Sequence, residues 1–200
     1  MRVSGSEHLP SAGPMIVAGN HRGVVDGPVV AMFVPRPMSF VAKAELFVGP
    51  AARLLTWLGQ IPVHRGRPDR AALRRALEVL ESDGVLGLFP EGTRGAGALD
   101  QVQHGIAYLA LHAPGCPIVP VACLGTEVAL PNGSFRPRLR TRVDVVFGAP
   151  LHVRIPDNPR SRRAVAAAAE EIRAALAEHV RAAEAIRPTS QVARAGRGAP

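Results

Sequence analysis

The chain has 200 residues, 47% of them hydrophobic, and a formal net charge of +8. That length suits one domain with a sizeable core, and an aromatic content of only 4% leaves that core to Val, Leu, Ile and Ala. A basic surface favours anionic partners, but the cations form no dense block and no aromatics interleave with them, which argues against nucleic acid. Cys116 and Cys123 stand in apolar surroundings without the second Cys/His pair of a zinc site, so they are expected in the core, and no metal site is expected. The opening segment MRVSGSEHLPSAGP has no apolar h-region, and no stretch reaches the roughly 18 apolar residues of a membrane span.

In chain order, short apolar runs alternate with helix-like segments. Met15–Gly19 (MIVAG) reads as a strand, Pro28–Val34 as a helix, Met38–Ala42 as a strand and Ala44–Leu58 as a helix. Gln60–Val63 is a third strand. Arg70–Ser82, apolar at 72, 73, 76, 77 and 80, has helical spacing. Val85–Phe89, Ile118–Cys123 and Val143–Phe147 read as strands, His104–His112 as a helix, and Asn132–Arg142 as a loop containing Gly, Pro and Arg. Arg163–Ile186, rich in Ala, reads as a C-terminal helix. The alternation predicts an α/β fold: a single domain with a largely parallel mixed sheet flanked by helices. Residues 1–155 make the domain, 156–186 a helix packed on it or extending it, and 187–200 a tail expected to be disordered.

The unusual polar clusters each follow an apolar run directly. Asn20-His21-Arg22 follows MIVAG, Lys43 follows MSFVA, His64-Arg65 follows QIPV, and Glu91-Gly92-Thr93-Arg94 follows VLGLFP. In open parallel sheets ligands bind beyond the carboxyl ends of the strands, so four such ends are expected to converge on one site. The step from His21 to Asp26 is too long for two side chains stacked on one helix face. It suits His21 at a strand end and Asp26 at the start of the next helix, with Gly23 easing the turn. Asp26 can then hold one ring nitrogen and leave the other as a base. On its own the spacing fits a helix cap equally well.

The ordered set says more than any member. NHRGVVD, GQIPVHRG, FPEGTRG and IVPV, in this order and at these separations, resemble the four sequence blocks of the glycerolipid acyltransferase family. Glu7-His8-Leu9-Pro10 and Ala42-Lys43-Ala44-Glu45-Leu46 fit the same pattern, and the resemblance covers roughly residues 5–150. It implies a fold like that of glycerol-3-phosphate acyltransferase and transfer of a fatty acyl group from acyl-CoA or acyl carrier protein to the hydroxyl of 1-acylglycerol-3-phosphate or a related lysolipid. It makes His21 the general base and Asp26 its support. Arg65, Glu91, Gly92, Thr93 and Arg94 become acceptor- and phosphate-binding positions, and Lys43 a donor or anion contact. No cofactor and no metal are implied; the acyl thioester is a co-substrate. The expected setting is cytoplasmic, peripheral at the inner face of the plasma membrane, with the Ala44–Leu58 segment as a candidate attachment helix.

One departure bears on the acceptor. Many family members carry a Lys two residues before the Gly that opens the helix after the third block; here that position is Gln103. A non-phosphorylated acceptor, such as a glycolipid or aminolipid, is therefore the main alternative. A catalytically silent lipid-binding protein is a further one, disfavoured by the intact His21/Asp26 pair. A serine hydrolase is disfavoured because no G-x-S-x-G elbow occurs.

Overall fold

The computed structural model describes residues 1–187 apart from Arg65, Arg67, Thr93, Ala96, Asn132, Phe135 and Leu139. The expected disordered tail thus lies outside the described residues, except for Arg187. MIVAG is apolar on both faces, as a strand covered above and below must be. It forms β2 (Met15–Gly19), and all five of its residues are buried.

The other strands are β1 (Arg2–Ser4), β3 (Met38–Lys43), β4 (Ile61–Val63), β5 (Val85–Leu88), β6 (Ile118–Leu124) and β7 (Asp144–Phe147). They form one seven-stranded sheet in the order β1-β7-β6-β2-β5-β3-β4. Strands β6, β2, β5, β3 and β4 run parallel, while β7 is antiparallel to β6 and carries β1 parallel to itself. The expected largely parallel mixed sheet is what forms. β1 gave no sequence signal because all three of its residues are exposed at the sheet edge.

The helices are α1 (Asp26–Ala31), α2 (Gly49–Trp57), α3 (Arg70–Glu81), α4 (His104–His112), α5 (Thr126–Ala129) and α6 (Arg162–Ile186). They cover the sheet on both faces. Ile16, Leu86, Ile118 and Ala122 pack with α3, α4 and α6 on one side. Met15, Val17, Val85 and Val119 pack with Val29 and Val30 of α1 on the other. In α6 the buried stripe Ala168, Ala169, Ile172, Leu176, Ala177, Val180 and Ala183 follows helical spacing. Both cysteines are buried and free.

Ala44–Leu58 is not one helix. A 3-10 turn covers Ala44–Leu46, and α2 begins only at Gly49. Gly49 has φ +53° and Pro50 follows it, so the chain must restart there. No helix among the described residues is long and apolar enough to cross a membrane.

Asp69 starts α3. Its Oδ1 accepts from Ala72 N at 3.0 Å, and its Oδ2 accepts from the His64 amide at 3.0 Å and the His64 ring at 3.0 Å. The Ala72 amide first, then the two His64 donors, hold this carboxyl well below the usual range. Asp69→Ala should cost about 1 kcal/mol at neutral pH, as loss of a helix cap does. Because the folded-state pKa is depressed, the deficit should be full above about pH 5 and shrink progressively below about pH 4. Denaturant midpoints of both proteins across that range check this; a gap that does not change with acid would exclude the ionised cap.

Candidate active site

The four strands that carry the polar clusters, β2, β5, β3 and β4, are consecutive neighbours in the sheet and parallel. Their carboxyl ends therefore lie along one edge. At the end of β2, Asn20 is fully buried and takes over from the backbone ladder. Its Nδ2 donates to Cys123 O at 2.9 Å, and its Oδ1 accepts from Cys123 N at 2.8 Å. This side-chain bridge to β6 ends the pairing cleanly and sends His21 out over the edge.

His21 Nδ1 lies 2.9 Å from Asp26 Oδ2. Asp26, at the first position of α1, is fully buried, whereas the His21 side chain is 14% exposed. The same Oδ2 accepts from Arg22 N at 2.8 Å and from Gly23 N at 2.9 Å, and Oδ1 accepts from the Thr126 hydroxyl. A carboxylate surrounded by donors fixes the ring: Nδ1 carries the proton toward Asp26, and Nε2 keeps its lone pair. Phe89 stacks on the imidazole, with centroids 4.4 Å apart and planes 12° apart. Position 23 admits only glycine, since a Cβ there would fall 2.8 Å from Thr126 Oγ1.

The loop after β5 folds against this pair. Glu91 Oε1 accepts from the His21 amide at 3.0 Å, and Gly95 N donates to His21 O at 3.1 Å. Glu91 thus grips the histidine segment. Burial raises its pKa, opposed by the His21 hydrogen bond and by the charges of His21 and Arg22. Gly92 has φ +73° and faces Gln103: a Cβ on it would lie 3.1 Å from Gln103 Cγ. Gln103 N donates to Pro90 O at 2.7 Å, so the position that departs from the family pattern borders this loop. Arg94 is exposed in the same loop.

Lys43 ends β3, half-exposed, with Nζ 3.2 Å from Glu45 Oε1. It shares the edge with His21, but its ion pair is with Glu45 rather than with the histidine. Arg65 and Thr93 lie outside the described residues. Sequence reasoning passed over Thr126, on the short α5 that the sequence did not announce, and over Asn20 and Phe89 as supports. It also passed over a second His-x4-Asp step, His64 to Asp69, although this has the same spacing and a ring contact of 3.0 Å. There the His64 side chain is 59% exposed, and the carboxylate serves as a helix cap.

Among the described residues no Ser, Thr or Cys side chain is hydrogen-bonded to the His21 ring. The site thus differs from the nucleophile–histidine pair of a serine or cysteine hydrolase. The chain belongs to the glycerolipid acyltransferases: the family described as Acyltransferase matches residues 1–124. The chain is 28% identical over 157 residues to the 1-acyl-sn-glycerol-3-phosphate acyltransferase LPAT1 of Arabidopsis thaliana, covering 76% of this chain and 44% of that protein. It is 34% identical to the enzyme of that name from Limnanthes alba, over 69% of this chain and 50% of that one. The solved structure of the 1-acyl-sn-glycerophosphate acyltransferase PlsC from Thermotoga maritima superposes with a TM-score of 0.67 at 26% identity, over 94% of this chain and 73% of that one. The chain spans about half the length of the curated relatives it matches.

Thr126→Val keeps the shape of the side chain but leaves a buried Asp26 oxygen without its donor. The loss should be roughly 1–3 kcal/mol of stability, measured by denaturant unfolding, and Thr126→Ser should recover most of it. Equal stability of the Val variant would remove Thr126 from the network.

Proposed function

We propose that the protein moves a fatty acyl group from a thioester donor, acyl-CoA or acyl carrier protein, to the hydroxyl of 1-acylglycerol-3-phosphate, a step of phospholipid biosynthesis. The observation that carries this reading is the fixed His21 ring, held at Nδ1 by the buried Asp26. Nε2 takes the proton of the acceptor hydroxyl as its oxygen attacks the thioester carbonyl. The carbon–sulfur bond breaks, the proton passes to the departing thiolate, and Asp26 supports the imidazolium in between. The thioester is already an activated bond, so the reaction as proposed calls for no cofactor and no metal.

Arg94 and Arg65 are the phosphate ligands in this reading, because a guanidinium fork matches phosphate oxygens. Gly92 and Thr93 bring the loop close to the acceptor, and Lys43 meets the anionic part of the donor. Gln103, beside Gly92, favours one alternative: the same chemistry on a glycolipid or aminolipid without phosphate. Thiol release from both donor types, measured across lysolipids with and without phosphate, tests the reading. Turnover should require the acceptor and be lost in His21→Ala while the fold survives. Substantial turnover in that variant would sink the mechanism; preference for acceptors without phosphate would select the alternative.

The lipid acceptor suggests where the protein works: at the surface of an anionic membrane on its cytoplasmic side. Support comes from α2, none of whose residues is buried. Leu46, Val48, Leu54, Trp57 and Leu58 are exposed in and around it, Trp57 by 81%. Arg53 is the helix's only charged residue, and a cation among apolar side chains suits anionic headgroups. Trp57 is the sole tryptophan, so its emission reports on α2 directly. It should shift to the blue on adding anionic vesicles, and Leu54→Asp should abolish the shift. No shift with vesicles would refute this face; a shift on concentrating the protein alone would mean that a second copy covers it.

A further inference from the structure

The C-terminal helix lies outside the four motif-bearing segments, yet its last turn reaches the candidate site. β7 runs antiparallel to β6, so the start of β7 sits at the same sheet edge as His21. α6 ends there. Glu184 Oε1 accepts from Arg22 Nη2, and Arg22 is the residue directly after His21. The Arg22 side chain is 17% exposed, and its Nε is sealed from solvent without a partner. A largely buried guanidinium is tolerable only when its charge is met, and Glu184 meets it. The backbone amide of the same Arg22 donates to Asp26 Oδ2 at 2.8 Å.

A second contact set leaves the same helix end. Arg187, which follows Ile186, donates from Nη2 to Arg142 O at 2.9 Å and approaches Asp144 Oδ2 with Nε at 3.3 Å. Arg142 Nε also donates to both oxygens of Asp144, at 2.8 and 2.7 Å. These groups wedge against Gly125, where a Cβ would lie 2.3 Å from Arg142 O and 2.5 Å from Arg187 Nη2. The next residue is Thr126, whose hydroxyl donates to Asp26 Oδ1. Two routes thus run from one helical turn to the two oxygens of one carboxylate.

We infer that Glu184 and Arg187, at the end of α6, are positioning residues that hold Arg22 and the Gly125–Thr126 turn so that Asp26 keeps His21 in its working orientation. The inference rests on His21 being the base. Neither residue touches substrate in this role; each acts through the groups that grip Asp26.

Glu184→Ala, Arg22→Ala and the double variant, assayed by thiol release, test it together with His21→Ala. Glu184→Ala should lower kcat by roughly 10- to 100-fold, as small misplacements of reacting groups do, and leave both KM values within about twofold. The effects of Glu184→Ala and Arg22→Ala should not add, because both break one contact. Hydrogen exchange supplies a readout free of turnover: in Glu184→Ala the Arg22 and Gly23 amides should exchange faster, while β2 and β6 amides keep their protection. Wild-type kcat together with unchanged exchange at Arg22 and Gly23 would overturn the inference. So would a rise in acceptor KM alone, which would make Arg22 a ligand. If His21→Ala keeps its turnover, the base reading itself fails, whatever Glu184 does.

Discussion

The site depends on one buried carboxylate. Asp26 has no contact with solvent, and its two oxygens receive two backbone amides, a histidine ring and a threonine hydroxyl. A buried charge is tolerated only when it is fully hydrogen-bonded, so each of these donors is constrained in turn. Gly23 must lack a side chain to let Thr126 approach. Thr126 must start α5 where β6 ends, and Arg22 must leave its amide free to turn inward. The geometry of His21 is the visible outcome of these requirements.

The parallel sheet supplies the frame in which they are met together. Five parallel strands place four polar segments along one edge, and helices on both faces keep the strands buried and rigid. Precision at His21 comes from contacts across the sheet: Asn20 to Cys123, Glu91 to the His21 amide, Phe89 against the ring. The basic loop side of the edge is built differently. Arg94 and Lys43 are solvent-accessible, Lys43 beside Glu45, which is compatible with the anion contacts proposed for them. The rigid part of the site thus belongs to the proposed proton transfer and its accessible part to the proposed recognition.

Much of this was legible beforehand. The strands β2 to β7 were readable because runs such as MIVAG and IVPV are apolar without alternation, the mark of strands buried on both faces. The convergence of the clusters followed from their position after those runs. β1 and α5 were not readable, being too short or too exposed to leave a hydrophobic pattern. The break in Ala44–Leu58 was written in Gly49-Pro50, but apolar spacing on either side of it masked the restart.

The two His-x4-Asp steps mark the boundary of what sequence determines. Local spacing alone brings each ring to its carboxylate, at 2.9 Å for His21 and 3.0 Å for His64. The chain therefore determined by itself that both pairs form and that each carboxylate opens a helix. Spacing alone does not say which pair sits in a site; the ordered set of segments to which NHRGVVD belongs is what pointed to the first. Its enclosure was decided by residues far away in sequence: Thr126 and Glu91 close over the first pair, Cys123 holds the adjoining Asn20, and nothing comparable closes over the second among the described residues. Burial is a property of the assembled sheet, set by contacts across some 100 residues, and it separates the enclosed pair from the exposed one, whose carboxylate caps a helix.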